Sequence, residues 1–191
     1  MLVEIWTDGA CRNNQYAALR MGGWGTMLYC PDMNHVKFMH GKSKEATNNE
    51  MELYSILKGL EAIKKPEFAI KIYSDSQYAV GVCSNWMHQW KAKNWKVNKA
   101  NLDLVKKIYD LWITFPFIEI IHVSGHCGIY GNEIVDRLCN LAIDGHTPEI
   151  YAPCIKIVKN TKAGVKINFM ENVGTILPFD KEDTVRRQPG L

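Results

Sequence analysis

The chain has 191 residues, of which 47% are apolar and 23% charged, with a formal net charge of +3. These are globular proportions, sufficient for one domain with a real core plus an appendage. So small a net charge excludes a globally basic nucleic-acid binder, and any such reading has to come from local clusters.

Six cysteines, at 11, 30, 83, 127, 139 and 154, form no Cys-x-x-Cys pair. At this size reduced thiols in a cytosolic setting are expected rather than a disulfide framework. The N-terminus shows no basic-then-apolar leader, and no apolar run approaches the roughly 20 residues of a membrane span.

Residues 2–8 alternate, with Val3, Ile5 and Thr7 against Leu2, Glu4 and Trp6, which predicts a strand ending at Asp8. Gly9 to Tyr16 is polar and reads as turns. Gly22 to Tyr29 is a second strand, whose three glycines imply close approach of backbone or ligand. After a turn at Pro31-Asp32-Met33-Asn34, Val36 to Gly41 is a third strand, forming an antiparallel hairpin with the second. Asn48 or Asn49 can cap a helix that carries Met51, Tyr54, Leu57 and Leu60 at helical spacing and is stopped by Pro66. Residues 69–73 are a strand. Ser74-Asp75-Ser76 opens a helix through Tyr78, Val82 and Trp86, and residues 91–99 break it. Asn101 to Phe115 is a helix, Phe117 to Val123 a strand, and Asn132 to Ile143 a last helix closing at Gly145. The order β-β-β-α-β-α-α-β-α predicts an α/β domain with one mixed five-stranded sheet flanked by helices. Sites in such sheets gather at the carboxyl ends of parallel strands, where Asp8 and Asp75 both lie, so these two are expected to meet.

Four acids close short phrases: Asp8 and Asp75 at strand ends, Glu52 and Asp136 on helices. Any one of them alone is as well explained as a cap or turn former. Clustered, they would repel, and burying that charge unpaired is costly. Two hard divalent cations remove the conflict. Mg²⁺ takes oxygen ligands and binds phosphate oxygens readily. A pair of such ions can activate water on one side of a phosphodiester and stabilise the leaving oxygen on the other. The residues therefore point to metal-assisted phosphoryl chemistry.

Four phrases occur in order: Thr7-Asp8-Gly9-Ala10-Cys11, Thr47-Asn48-Asn49-Glu50-Met51-Glu52-Leu53, Ser74-Asp75-Ser76-Gln77-Tyr78, and Gly125-His126-Cys127-Gly128 followed by Asn132-Glu133-Ile134-Val135-Asp136. Together, from about residue 3 to about residue 145, they resemble type 1 ribonuclease H. The resemblance implies a ribonuclease H-like fold, with Asp8, Glu52, Asp75 and Asp136 as metal-binding catalytic carboxylates for two Mg²⁺ ions (Mn²⁺ as a substitute). It implies hydrolysis of the RNA strand of an RNA–DNA hybrid, leaving 5′-phosphate and 3′-hydroxyl ends. His126 looks like the family's mobile histidine, and its Gly-rich loop after a strand suits movement. A surface histidine is the plainer alternative. Zinc on His122, His126, Cys127 and Cys139 is not expected, since no second paired ligand motif is present.

By the same resemblance Asn14, Asn48, Asn49 and Gln77 contact substrate. Amides suit a ribose 2′-hydroxyl, although Asn48 and Asn49 are equally placed to cap a helix. Thr47 would meet a DNA-strand phosphate. Glu45 is a departure, because some relatives carry a basic residue there. The stretch Trp86 to Lys99 resembles the family's basic protrusion, with Lys91, Lys93, Lys96 and Lys99 as phosphate contacts and Trp86, Trp90 and Trp95 against sugar or base faces. Trp86 and Trp90, four apart, can instead pack a helix onto the core, which leaves Trp95, ringed by polar residues, as the better contact. The rival readings are another nuclease of the same fold and a non-catalytic hybrid-binding module.

Residues 1–147 are expected to form the catalytic domain and 148–191 a C-terminal extension. In the extension Ile155 to Val158 and Val165 to Phe169 read as two strands around a turn, and Asp180 to Leu191 as a frayed tail. The expected partner is the hybrid, with a monomeric chain in the cytoplasm, nucleoid or nucleus.

Overall fold

A computed structural model of the chain describes residues 1–145, together with the backbone of the strands Ile155–Thr161 and Gly164–Phe169. The elements run β1 (Leu2–Arg12), β2 (Met21–Cys30), β3 (His35–Lys44), α1 (Asn48–Glu61), β4 (Ala69–Ser74), α2 (Gln77–Gly81), α3 (Met87–Ala92), α4 (Leu102–Trp112), β5 (Ile118–His122) and α5 (Tyr130–Asp144). The two later strands, β6 and β7, pair antiparallel with each other. The 180–191 tail and Cys154 lie outside the described residues. Among the described residues no helix is long and apolar enough to cross a membrane.

The five-stranded sheet has the order β3-β2-β1-β4-β5. β1 to β3 form an antiparallel meander, while β4 and β5 join parallel to β1. The period-two pattern of β1 explains the two layers. Val3 and Ile5 point to a core with Leu53, Ile56, Leu60, Met87 and Ile108 from the helices on one side. Trp6 points to the other face, against Ile134, Val135 and Leu138 of α5.

Two sequence expectations are corrected. Asp8 does not end its strand, because β2 keeps pairing with β1 as far as Arg12–Met21. What ends at Asp8 is the parallel ladder, whose last pair is Thr7 with Ser74, so Asp8 and Asp75 are the next residues on neighbouring strands. Second, the helix cap is Thr47, not Asn48 or Asn49. Its Oγ1 accepts from the Glu50 amide at 3.2 Å, and Glu50 Oε2 accepts from the Thr47 amide at 3.4 Å, a capping box. The expected helix through Tyr78, Val82 and Trp86 is present as one rod, α2 and α3 joined by a π-helical turn, Val82–Trp86.

Candidate active site

Two helices are brought onto the sheet at glycines. A Cβ on Gly9 would stand 2.2 Å from the Glu52 nitrogen, so α1 can come this close to β1 at Glu52 because residue 9 has no side chain. On β2, a Cβ on Gly23 or Gly25 would meet the carbonyl oxygens of Cys139 and Val135 at 2.4 and 2.5 Å, which is how α5 settles with Asp136 facing the same end of the sheet.

The result is a tight group. Carboxylate oxygens of Asp8, Glu52 and Asp75 lie within 4.8 Å of one another. Asp8 and Glu52 are buried and Asp75 is half-buried. Asp8 Oδ1 accepts from the Gly9 amide at 2.8 Å, and Glu52 Oε1 from Asn48 Nδ2 at 3.4 Å. Asp75 Oδ2 accepts from Asn132 Nδ2 at 2.9 Å. Asp136 stands outside this trio. It is half-buried on α5 and accepts from Asn140 Nδ2 at 3.2 Å, yet its charge still acts on Asp8.

The electrostatics follow from that crowding. Burial, then the charges of Asp75 and Asp136, push the Asp8 carboxyl from its ordinary 3.8 up to about 7. Burial, then Asp8 and Asp75, hold Glu52 well above its usual range. Asp136 is also raised by burial, with His126 pulling the other way. The donors fit a hard cation. All are carboxylate oxygens, and among the described residues Glu52 Oε2 is buried with no hydrogen-bond partner.

His126 sits exposed in the loop between β5 and α5 with a left-handed φ of 52°. Thr47, Asn14 and Asn49 line a cavity of about 620 Å³ beside the acids, together with Arg20, Tyr78, Trp86, Trp90, Lys99 and Asn101. Asn48 bridges the two regions: its side chain reaches Glu52, and its amide donates to Asn14 Oδ1 at 3.2 Å. Gln77 is exposed at the start of α2.

The aromatic stretch is arranged differently from its sequence reading. Trp86 is 38% exposed and faces the cavity. Trp95 packs on the core, edge-on to Tyr109 at 5.5 Å. Lys91, Lys93 and Lys96 are exposed, and Lys91 lies 5.7 Å over the same Tyr109 ring. The reason is the left-handed pair Asn94 and Trp95, φ 51° and 59°, which turns the indole back onto α4.

The family model for RNase H matches residues 2–144. The chain belongs to the ribonuclease H family. It is 41% identical over 148 residues to a ribonuclease H of Ruthia magnifica subsp. Calyptogena magnifica, a match spanning 74% of this chain and 95% of that protein. It is 39% identical over 150 residues to the ribonuclease H of Legionella pneumophila (strain Corby), spanning 75% and 98%. In three dimensions it superposes on LC9-RNase H1, a type 1 RNase H with the type 2 active-site motif, with a TM-score of 0.68 at 27% identity over 76% of this chain and 74% of that one. RNase H1 from Halobacterium salinarum NRC-1 gives 0.56 at 25% identity, over 76% and 99%. As a ribonuclease H this chain is an enzyme, a nucleic-acid hydrolase of the ribonuclease H-like fold.

Sequence reasoning passed over two residues of this ribonuclease H site. Asn132 holds Asp75, and its signal was its place four residues before Asp136, on one face of α5. Arg20 reaches the cavity from the loop before β2, with no local motif to mark it.

Proposed function

We propose that this ribonuclease H cleaves the RNA strand of RNA–DNA hybrids endonucleolytically, leaving 5′-phosphate and 3′-hydroxyl ends. The observation that carries the reading is the trio Asp8, Glu52 and Asp75, two of them buried, with oxygens within 4.8 Å and one Glu52 oxygen unpartnered among the described residues.

In this reading Asp8, Glu52, Asp75 and Asp136 hold two Mg²⁺ ions, with Mn²⁺ as a substitute. When bound, these ions supply an activated water on one side of the phosphorus and charge neutralisation of the leaving oxygen on the other. The chain's own residues do the rest. Asn132 keeps Asp75 turned toward the group. Asn48, tied to both Glu52 and Asn14, sets the distance between the cut phosphate and the sugar contacts. Asn14, Asn48, Asn49 and Gln77 donate to and accept from ribose 2′-hydroxyls and base edges, which selects RNA. The attack of water on phosphorus breaks the bond to the 3′-oxygen, and that oxygen takes a proton. His126, on its exposed loop, is placed to relay protons or help product leave.

Residues 1–147 act as the catalytic domain in this proposal, and 148–191 as an extension whose β6–β7 hairpin is not needed for chemistry. The extent of the family match, 2–144, supports that division. The chain works as a monomer. The deciding experiment sets strand-labelled hybrid, duplex DNA and a four-way junction side by side with Mg²⁺. Cleavage of the RNA strand of the hybrid alone is expected. Junction cleavage would assign another nuclease activity to the fold, and binding without cleavage would make the chain a hybrid-binding module.

A further inference from the structure

Asp75 sits where two patterns of backbone bonding meet. The Ser74 carbonyl accepts from the Val123 amide at 3.0 Å, which closes the ladder between β4 and β5. At the start of α2 the Ser76 carbonyl accepts from the Val80 amide at 3.0 Å, and Ser76 Oγ caps the Ala79 amide at 3.2 Å. The Asp75 carbonyl falls between the strand and the helix and belongs to neither pattern. His122, the last residue of β5, pairs with Ser74 and fills the gap with its side chain: Nε2 lies 3.1 Å from the Asp75 carbonyl oxygen. A carbonyl oxygen only accepts, so Nε2 carries the hydrogen and donates it. The imidazole thus adds one more rung to the ladder, at the residue that holds a carboxylate of the trio.

The geometry points to His122 as a positioning residue for Asp75, an inference that rests on the proposed metal-dependent cleavage. It fixes the Asp75–Ser76 peptide, and through it the direction in which the Asp75 side chain leaves the backbone. Asp8 and Glu52 are buried and held by packing, whereas Asp75 is half-buried and depends more on its bonds. The segment that follows His122 meets the other end of the same residue. A Cβ on Gly125 would stand 2.7 Å from Asp75 Oδ2, so the loop that carries His126 lies directly against the carboxylate. Asn132 Nδ2 holds that same oxygen at 2.9 Å. Asp75 is therefore tied at its carbonyl by His122 and at its carboxylate by Asn132. His122 is exposed, so water can replace it on the carbonyl at little cost in stability. Water does not fix the direction of the peptide, and metal affinity depends on how the ligating oxygens are aimed.

The test compares the full-length wild type with His122→Ala, His122→Gln and His122→Asn. Mn²⁺ alone is titrated into each hybrid-free protein by calorimetry, and each is then assayed on labelled hybrid. His122→Ala should bind Mn²⁺ about tenfold more weakly and lose about tenfold in kcat, with KM within about twofold. Its Tm without cation should stay within about 3 °C of the wild type. The Gln amide nitrogen reaches as far as Nε2 and should restore both Mn²⁺ affinity and kcat. The Asn amide reaches only as far as Nδ1 and should restore neither. Unchanged Mn²⁺ affinity in His122→Ala overturns the assignment, as does a loss that Gln fails to restore, which would give the imidazole a different role. A loss that merely follows a fall in Tm also overturns it, by reducing His122 to a support of the fold. A wild type that binds Mn²⁺ but cuts no hybrid would instead defeat the functional reading, and the Mn²⁺ titrations would still decide the role of His122.

Discussion

Glu52 stands beside Asp8 because residue 9 lacks a side chain: a Cβ on Gly9 would lie 2.2 Å from the Glu52 nitrogen and 2.4 Å from the Met51 carbonyl carbon. The contact is backbone to backbone, so no rotamer change relieves it. Gly9→Ala should destabilise the fold by about 1–3 kcal/mol or more. It should also move α1 outward, raising the Mg²⁺ concentration needed for half-maximal activity. Urea denaturation and a Mg²⁺ titration of cleavage check both effects. An unchanged midpoint would mean that α1 does not sit where the structure puts it.

The trio costs stability when it is charged and empty. The folded-state values of Asp8, about 7, and of Glu52 are raised above those of the unfolded chain. A carboxyl raised in this way contributes stability that is complete below its unfolded pKa and is lost as pH rises through its folded one. In the absence of divalent cations, stability should therefore fall between about pH 4 and about pH 7. Asp8→Asn should raise the cation-free Tm at pH 8 by several degrees, for about 1–3 kcal/mol, while ending activity. Mg²⁺ should raise the wild-type Tm more at pH 8 than at pH 5, because protons and cation compete for the same oxygens. Calorimetry across that range is the measurement. A lower Tm for Asp8→Asn at pH 8 would contradict the electrostatic account.

Asn132 is buried, 1% exposed, and donates to Asp75 at 2.9 Å. Asn132→Ala should weaken Mg²⁺ activation and lower kcat/KM about 10–100-fold, the range for a residue that orients a metal-binding carboxylate. Hybrid binding in Ca²⁺ should be nearly unchanged. An effect on binding alone would remove Asn132 from the site.

Lys91, Lys93 and Lys96 are all exposed, but only Lys91 of the three lies over the Tyr109 ring among the described contacts. The double change Lys93→Ala and Lys96→Ala should raise KM and reduce the salt slope by roughly two contacts. Lys91→Ala should act more on stability than on KM. Equal KM effects from all three would mean that the ring contact gives way when hybrid binds.

The strand and helix order was legible because each element carries its own period: alternation in Val3-Ile5-Thr7, and helical spacing in Met51-Tyr54-Leu57. The meeting of Asp8 with Asp75 followed from parallel-strand logic, and the register of Thr7 with Ser74 realises it. The strand's continuation past Asp8 was hidden, because Gly9 to Arg12 looks polar and its pairing comes from β2. Trp95 misled because polar neighbours in sequence say nothing about a left-handed backbone that folds the ring inward. Arg20 was invisible for a related reason: its neighbours in space, Thr47 and Asn101, are far away in the chain. Asp136 was named with the trio, but its oxygens do not share the trio's close packing, since a helix places it from the α5 side.

The central claim is that the trio is a cation site whose loss stops cleavage without stopping recognition. Single-turnover cleavage of an end-labelled RNA–DNA hybrid by Asp75→Asn, paired with the hybrid Kd of the same protein, tests it most directly. The account predicts cleavage at least about 10³-fold slower than the wild type in Mg²⁺, with Kd within a few-fold. Mg²⁺-dependent cleavage by Asp75→Asn at a rate near the wild type's would contradict it.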